Sequence, residues 1–198
     1  SVEKFLIARR LMYWQVYLHK TGLVAENMLV NVLLRAKELV GKGKELFAST
    51  SLKYFMNNHI DQDNFTDETL EMFSKLDDYD VFSAIKEWTN HDDKVLSLLS
   101  QMIVDRKLLR VEIQKDAFDI SQINKIISKF SKKLNLSEEE TKYFVFSQEI
   151  KNQAYNSEEP VFILNKKGKL KDIAKASDQF NIQALTKPVI KHFICYPK

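Results

Sequence analysis

The first half of the chain repeats its apolar residues with the period of an α-helix. Apolar side chains recur every three or four positions, which places them on one face of each helix. Thr66 stands where an N-capping side chain is expected, Asp77 or Asp78 can cap the next helix, and Asp92 opens the last helix before residue 108. The predicted helices are 5–20, 25–40, 52–57, 66–75, 78–88 and 92–103. Residues 1–107 are therefore predicted to be an all-helical domain built from long helices.

From Leu108 the pattern changes to the two-residue alternation of β-strands. The segment LLRVEIQ alternates apolar and polar residues, and three later stretches have strand-like composition. The predicted strands are 108–114, 143–150, 161–165 and 189–196, and the helices among them are 121–134, 172–177 and 182–186. Their order, β-α-β-β-α-β, favours a ferredoxin-like sheet with helices on one face. The protein is thus predicted to be mainly α, with a long-helix bundle followed by a small α+β ferredoxin-like domain over 108–198.

The first predicted helix carries an unusual set of polar residues on an apolar background. At about 100° per residue, Arg9, Tyr13, Tyr17 and Lys20 fall near one another, and apolar residues occupy the other faces. A buried helix with this one polar stripe suits a polyanion that carries a ring, because guanidinium and ammonium groups bind phosphate and phenols stack or hydrogen-bond. The alternative is structural: the cations reach solvent at the edge of a bundle and the tyrosines pack in its core.

The sequence of this helix, FLIARRLMYWQVYLHK, resembles a helix of the HD-domain deoxynucleoside triphosphate triphosphohydrolases, the family of the SAM-and-HD-domain dNTPases. In that family an Arg on the long helix after the metal site is followed eight residues later by Tyr-x-His-Lys. The matching residues here are Arg9, Tyr17, His19 and Lys20. The resemblance continues through LDDYDVFSAIKEW and DRKLLR, and covers roughly the first 115 residues well. It implies hydrolysis of a dNTP to deoxynucleoside and triphosphate.

The resemblance also implies roles for three residues in binding the dNTP substrate. Arg9 corresponds to the residue that contacts the substrate triphosphate, and Tyr17 to the phenol beside the deoxyribose. Tyr13 stands where relatives can carry a His near the scissile phosphate, so the acid–base group of this protein is not identified by the match.

A second set of residues is implied to bind an activating nucleotide. His19 and Lys20 correspond to ligands of the phosphates of that effector, and Arg106 and Arg110 to a second basic pair at a regulatory site. Enzymes of the family assemble as dimers or tetramers, so the resemblance also implies a homo-oligomer.

The metal-binding element that defines the family does not occur in this sequence. HD enzymes hold a divalent metal, expected to be Mg, Mn or Fe, with a His, a His-Asp pair and a later Asp, because these ligands hold an ion that activates water. This chain has four histidines, and its one His-Asp pair, His91-Asp92, falls in a loop at the start of a helix. The chain is therefore expected to be the C-terminal part of a longer enzyme, to bind no metal alone, and to be inactive without the N-terminal HD region.

Composition narrows the other classes of function. A formal net charge of +3 is close to balance and argues against duplex DNA as the ligand. No apolar run is long enough for a transmembrane span, and no signal-peptide pattern occurs. The single cysteine, Cys195, lies in an apolar stretch and is expected to pack in a core, which fits a cytoplasmic protein.

Two alternatives from other classes remain open. The first is a regulatory or assembly module without catalysis, in which the helices form a subunit interface. The second is an RNA-binding module, because KYFVFS places aromatic residues on a strand as RNA-recognition motifs do, although the glycines of those motifs do not occur. The acidic cluster LDDYD is read as a helix cap rather than a cation site, since it has no turn-forming Gly.

Overall fold

The computed structural model describes residues 2–152, 160–164, 167–173 and 188–198, with the side chain of Tyr17 left out. Helices dominate the described residues and the strands form small sheets, so the mainly α prediction is confirmed. None of the described helices is long and apolar enough to cross a membrane. The helices are α1 (Val2–Met12), a π-helical segment (Tyr13–Tyr17), α2 (Lys20–Gly41), α3 (Thr50–Asn57), α4 (Asp67–Lys75), α5 (Asp78–Trp88), α6 (Lys94–Val104), α7 (Ile120–Leu134) and α8 (Glu138–Thr141).

The strands form two sheets rather than one. The larger sheet has the order β1-β5-β2, and β2 and β5 pair antiparallel from Phe146 opposite Cys195 to Asn152 opposite Val189. The smaller sheet is an antiparallel pair of β3 and β4, whose turn contains Gly168 at φ +72°. The strands are β1 (Arg110–Gln114), β2 (Phe146–Asn152), β3 (Phe162–Leu164), β4 (Leu170–Asp172) and β5 (Val189–Tyr196).

The ferredoxin-like arrangement is not confirmed by the described strands. That prediction puts 161–165 into the same sheet as the other three strands, whereas β3 pairs with β4 instead. Asp172 was expected to begin a helix but ends β4. Alternation along a strand identifies the strand but not its partner, which is why the pairing was missed. Most of the predicted helix 172–177 and all of 182–186 lie outside the described residues.

The chain divides into two compact units, and each takes segments from distant parts of the sequence. The first unit comprises Ser1–Leu23, Val111–Ile126 and Val145–Tyr196. The second comprises Val24–Arg110, Ile127–Phe144 and Pro197–Lys198. The division into domains 1–107 and 108–198 stays a prediction, because a compact unit is not the same thing as a functional domain.

Within the second unit, α2 supplies a continuous apolar face to the core. The Trp88 indole is 1% exposed and donates its Nε1–H to the Phe47 carbonyl oxygen at 3.0 Å. This hydrogen bond satisfies the buried indole N–H, so burial of the ring carries little free-energy penalty. The same bond holds α5 against the loop before α3. The fully buried residues of this core are Met28, Val32, Ala36, Ala84, Ile85, Val95, Leu96 and Leu99.

Most of the predicted helix caps are confirmed. Thr66 accepts from the Thr69 N–H, and Asp77 forms a capping box with Asp80, so the LDDYD cluster caps a helix as expected. The predicted start of α6 is one residue off. Its N-cap is Asp93, not Asp92, and the Asp93 carboxylate accepts from the Leu96 N–H at 2.9 Å.

The predicted continuous helix over 5–20 is wrong in two respects. It ends as an α-helix at Met12 and continues as the π-helical segment, in which the Leu18 N–H donates to the Tyr13 carbonyl oxygen at 2.7 Å. Second, it is not buried in this chain. Of the described α1 residues only Leu6 is buried, whereas Phe5 is 62% exposed and Val16, in the π-helical segment, is 60% exposed.

Candidate functional site

The π-helical segment divides the predicted polar stripe between two pockets of the first unit. A π-helical turn bonds residue i to i+5 instead of i+4, so residues beyond it leave the face that an unbroken α-helix would give them. Arg9 and Tyr13 lie on one side of this change. His19 and Lys20 line a different pocket, which also includes Trp14. The single stripe of the sequence prediction is therefore not continuous.

The first pocket, called here the α1 pocket, brings Arg9 and Tyr13 together. The guanidinium carbon of Arg9 lies 5.7 Å from the centroid of the Tyr13 ring, within the range of a cation–π contact. The pocket encloses about 290 Å³, and Phe5 and Met12 contribute apolar walls to it. A guanidinium braced against a ring and bordered by apolar side chains is oriented to present its paired N–H donors to a phosphate.

Tyr17 is the residue predicted to lie beside the deoxyribose. Tyr17 is the last residue of the π-helical segment, but its side chain lies outside the described residues. The roles of Arg9, Tyr13 and Tyr17 in binding a substrate therefore stay predictions.

The second pocket, called here the basic pocket, collects basic side chains from three parts of the first unit. His19 and Lys20 stand at the start of α2, Lys115 follows β1, and Lys191 comes from β5. The pocket encloses about 550 Å³, and no Asp or Glu occurs among the described residues that line it. A concave surface with several cations and no carboxylate attracts anions.

The imidazole of His19 has a defined orientation in the basic pocket. Its Nδ1 accepts the Thr21 backbone N–H at 3.3 Å. In the neutral ring the proton is therefore on Nε2, which is a hydrogen-bond donor. His19 is largely exposed, so this donor is available to an anion.

Arg106 and Arg110 belong to the second unit, whereas His19 and Lys20 belong to the first. Arg106 follows α6 with φ +56°, and its backbone N–H donates to the Ile103 carbonyl oxygen at 3.1 Å. Arg110 begins β1, and both side chains are exposed. Their joint role at a regulatory site stays a prediction.

The only His-Asp pair has a local structural role. The His91 Nδ1 accepts the Asp93 N–H at 2.9 Å in the loop before α6. Among the described residues, no group of three His, Cys, Asp or Glu side chains could hold a metal ion. The residues in hand therefore do not fit the divalent metal that the resemblance implies.

The aromatic residues considered for RNA binding do not share one strand: Tyr143 and Phe144 lie in a turn, and β2 begins only at Phe146. Phe144 is 1% exposed, and Phe146 is half-buried, 6.5 Å from Phe193 in an edge-to-face contact. The Tyr143 hydroxyl donates to Glu38 at 2.7 Å. Bases stack on exposed aromatic faces, so these residues do not offer the platform that an RNA-recognition motif uses.

Sequence reasoning missed a buried ionic cluster in the second unit. Arg35 is 8% exposed and forks onto Asp93, with Nε–Oδ1 at 3.0 Å and Nη2–Oδ2 at 2.5 Å. Its Nη1 donates to Glu38 at 2.8 Å, and Glu140 lies 3.9 Å away. The cluster joins α2 to the N-cap of α6 and to α8. Because each of its three guanidinium nitrogens donates to Asp93 or Glu38, Arg35 is a structural residue rather than a ligand-binding one.

These contacts shift the pKa values of the carboxylates. Hydrogen bonds from Lys42 and Tyr143 lower the pKa of Glu38 from 4.5 to about 2. Burial raises the pKa of Asp93, but hydrogen bonds from Arg35 and the Leu96 N–H outweigh it, so the pKa lies below its usual value. Both groups are therefore stabilised as anions in the folded protein.

The cluster predicts a loss of stability in acid. A carboxylate whose pKa is lowered by folding contributes stability above its unfolded pKa and loses it as the pH falls through the folded pKa. The free energy of unfolding should therefore fall between about pH 5 and pH 2. Urea unfolding at a series of pH values measures this, and Glu38→Gln should flatten the acid limb of the curve. Parallel curves for the wild type and Glu38→Gln would contradict the role of Glu38.

Cys195 behaves as the sequence predicted. Its thiol is fully buried in β5, and burial raises its pKa to about 12. A thiol that stays protonated and inaccessible is not a nucleophile, so Cys195 packs in the core.

Similarity to known proteins places this geometry in a class. No protein-family model matches the chain. The whole chain is similar to a phosphohydrolase of known crystal structure from Bacteroides thetaiotaomicron, with 43% identity and a TM-score of 0.89 over 100% of this chain and 50% of that one. The uncharacterized protein YwfO from Bacillus subtilis is 31% identical over 110 residues, which are 56% of this chain and 24% of YwfO. The chain thus spans half the length of the phosphohydrolase structure and about a quarter of YwfO. The chain has the fold of part of a phosphohydrolase.

Proposed function

We propose that this chain is the C-terminal part of a metal-dependent HD-domain phosphohydrolase that converts dNTPs to deoxynucleoside and triphosphate. The observation that carries the proposal is the similarity to a phosphohydrolase along the full chain at 43% identity. The α1 pocket supports it, because Arg9 and Tyr13 meet on the helix whose sequence resembles the substrate-binding helix of the dNTP hydrolases.

In this proposal the chain binds and orients the substrate. The Arg9 guanidinium donates paired hydrogen bonds to oxygens of the triphosphate, the Tyr13 hydroxyl lies beside it, and Tyr17 contacts the deoxyribose. The described residues supply no ligand set for the Mg, Mn or Fe ion, so the proposal places the metal in an HD region outside residues 1–198.

The basic pocket is proposed to bind the phosphates of an activating nucleotide. His19 and Lys20 supply an oriented imidazole and an ammonium group at one end of this pocket. Arg106 and Arg110 are proposed as further contacts of a regulatory nucleotide. An effector bound here would act by favouring the active assembly.

The proposal is tested by comparing the intact protein with the isolated chain. The intact protein should release tripolyphosphate from dNTPs when a divalent metal is present. The isolated chain of residues 1–198 should release none, because its described residues lack a metal site. Hydrolysis by the isolated chain would contradict the proposal that the metal site lies outside residues 1–198. A folded intact protein that hydrolyses no dNTP with Mg, Mn or Fe would overturn the proposed activity.

Regulation or assembly without catalysis is the second candidate, and it is favoured by the exposed apolar side chains of α1. Phe5 and Leu11 are 62% and 53% exposed, and Val2 and Met12 are 47% and 45% exposed. So much apolar surface on one helix is typical of an interface. A protein of this kind would bind nucleotides and assemble without hydrolysing them.

Both candidates predict that the chain self-associates through α1. Val2 and Leu11 do not line the α1 pocket, so their burial in a homo-oligomer removes apolar surface from water and leaves that pocket to the substrate. The chain should therefore sediment as a dimer or larger species at micromolar concentration. Leu11→Glu should shift it toward the monomer because it places a charge in the contact. The exposed Val30→Glu on α2 serves as the matched control. A monodisperse wild-type monomer would refute the prediction.

A further inference from the structure

The two tryptophans of the chain have different surroundings. Trp88 is 1% exposed, and its indole N–H is bonded to the Phe47 carbonyl oxygen. Trp14 is half-buried in the π-helical segment and lines the basic pocket. The Lys191 ammonium lies 4.2 Å from the centroid of its ring. Trp88 has a packing role, whereas Trp14 presents a ring to an open, cationic pocket.

The basic pocket has an excess of positive charge that the described residues do not neutralise. Within the described part of the chain, none of Lys20, Lys115 and Lys191 forms an ion pair. Like charges around one concave volume repel each other, so a polyanion that bridges them is favoured. The volume of about 550 Å³ is ample for a nucleotide.

The Trp14 ring offers a surface on which a nucleotide base can stack, and a polyphosphate alone has no group that would use it. An indole is the strongest side-chain partner both for cations and for stacked bases. A stacked base would occupy the position over the ring where the Lys191 ammonium now lies. A base and the ammonium would compete for that position. Phosphate offers Lys191 a charge-assisted hydrogen bond, which is stronger than an exposed cation–π contact.

We propose that Trp14 is the base platform of the basic pocket and that Lys191 covers it until phosphate binds. Phosphate draws the Lys191 ammonium away from the ring, and the base of the same nucleotide then stacks on Trp14. The ligand is thus a nucleoside triphosphate rather than free polyphosphate. This inference rests on the proposed function only in taking a nucleotide as the effector. It adds Trp14 as the residue that contacts the base of that nucleotide.

The experiment follows the Trp14 ring directly by fluorine NMR. The intact protein is labelled with 5-fluorotryptophan, and the resonance of residue 14 is assigned as the one lost in Trp14→Phe. The probes are dATP and inorganic tripolyphosphate, without added metal. The resonance of buried Trp88 serves as the internal control and should not move.

The proposal predicts three results. Tripolyphosphate should move the Trp14 resonance of the wild type to the position it has in Lys191→Met, because both changes uncover the ring. In Lys191→Met itself, tripolyphosphate should have almost no effect. In both proteins dATP should move the resonance further than tripolyphosphate does, and in the wild type it should bind about tenfold more tightly, since it adds base stacking.

Other results separate this inference from the proposed function. Equal shifts and equal affinities for dATP and tripolyphosphate would overturn the platform role of Trp14. A tripolyphosphate shift as large in Lys191→Met as in the wild type would overturn the cover role of Lys191. No response of Trp14 to either probe would overturn the whole inference. A Trp14 response as predicted, in a protein that hydrolyses no dNTP, would uphold the inference and remove the hydrolase proposal alone.

Discussion

Replacement of Arg9 by Lys should lower kcat/KM of the intact enzyme for a dNTP about ten- to a hundredfold, with little change in Tm. Lysine keeps the positive charge but cannot donate the two parallel hydrogen bonds of a guanidinium to phosphate. Arg9 is exposed in the α1 pocket, where its only described ring contact is with Tyr13, so the fold depends little on it. Steady-state kinetics and a thermal melt on the same preparation measure both quantities.

The same substitution one residue later provides the control for Arg9. Arg10→Lys removes a guanidinium from α1 but not from the α1 pocket, which Arg10 does not line. Its kcat/KM should stay within about twofold of the wild type, because no phosphate contact is lost. If Arg9→Lys instead lowers Tm by several degrees and leaves kcat/KM near the wild-type value, Arg9 is structural and the substrate role of this helix fails.

Replacement of Arg35 by Met should destabilise the protein by roughly 2–4 kcal/mol. The reason is the loss of a buried partner: the Asp93 side chain is 15% exposed and would be left as an unpaired carboxylate. For a chain of this size the corresponding fall in Tm is about 5–15 °C. Arg35→Lys keeps the charge but loses the paired hydrogen bonds to Asp93. Its stability should therefore lie between those of the wild type and Arg35→Met.

An exposed ion pair supplies the comparison for Arg35. Lys75 and Glu71 are 2.5 Å apart on α4, with side chains 58% and 59% exposed. Lys75→Met should leave the urea midpoint of unfolding almost unchanged, because exposed ion pairs contribute little. Urea denaturation of the two variants side by side decides the matter. Equal stabilities for Arg35→Met and Lys75→Met would mean that the cluster does not stabilise the fold.

The local parts of the fold were predictable because they depend on neighbouring residues. Side-chain chemistry and the apolar positions that follow indicated Thr66 as one cap and Asp77 or Asp78 as another, and in the structure Thr66 and Asp77 cap their helices. The π-helical segment was not predicted, since a shift from i+4 to i+5 bonding leaves the residue types unchanged. The pairing of β3 with β4 was missed because strand patterns do not specify partners.

The Arg35 cluster had a signal in the sequence that was not used. Arg35 follows Met28 and Val32 by seven and three residues, so it shares the apolar face of α2. A charge on such a face predicts a buried pair. Its partner Asp93 is 58 residues away and could not be identified from spacing alone. The basic pocket was unpredictable for a similar reason, since Lys191 of β5 is distant from Trp14 in the sequence.

The π-helical segment also has a consequence for how this protein could change in evolution. It accommodates one more residue per turn than an α-helix, so it is equivalent to a single-codon insertion between Arg9 and His19. Deletion of one codon there, for example that of the exposed Val16, would shift the residues before it by one position, or about 100°, relative to the start of α2. Arg9 and Tyr13 would then face a new direction while every side chain that touches a ligand kept its identity. Chain length across this one turn, rather than the identity of any residue, would distinguish relatives with two separate pockets from relatives with one continuous groove.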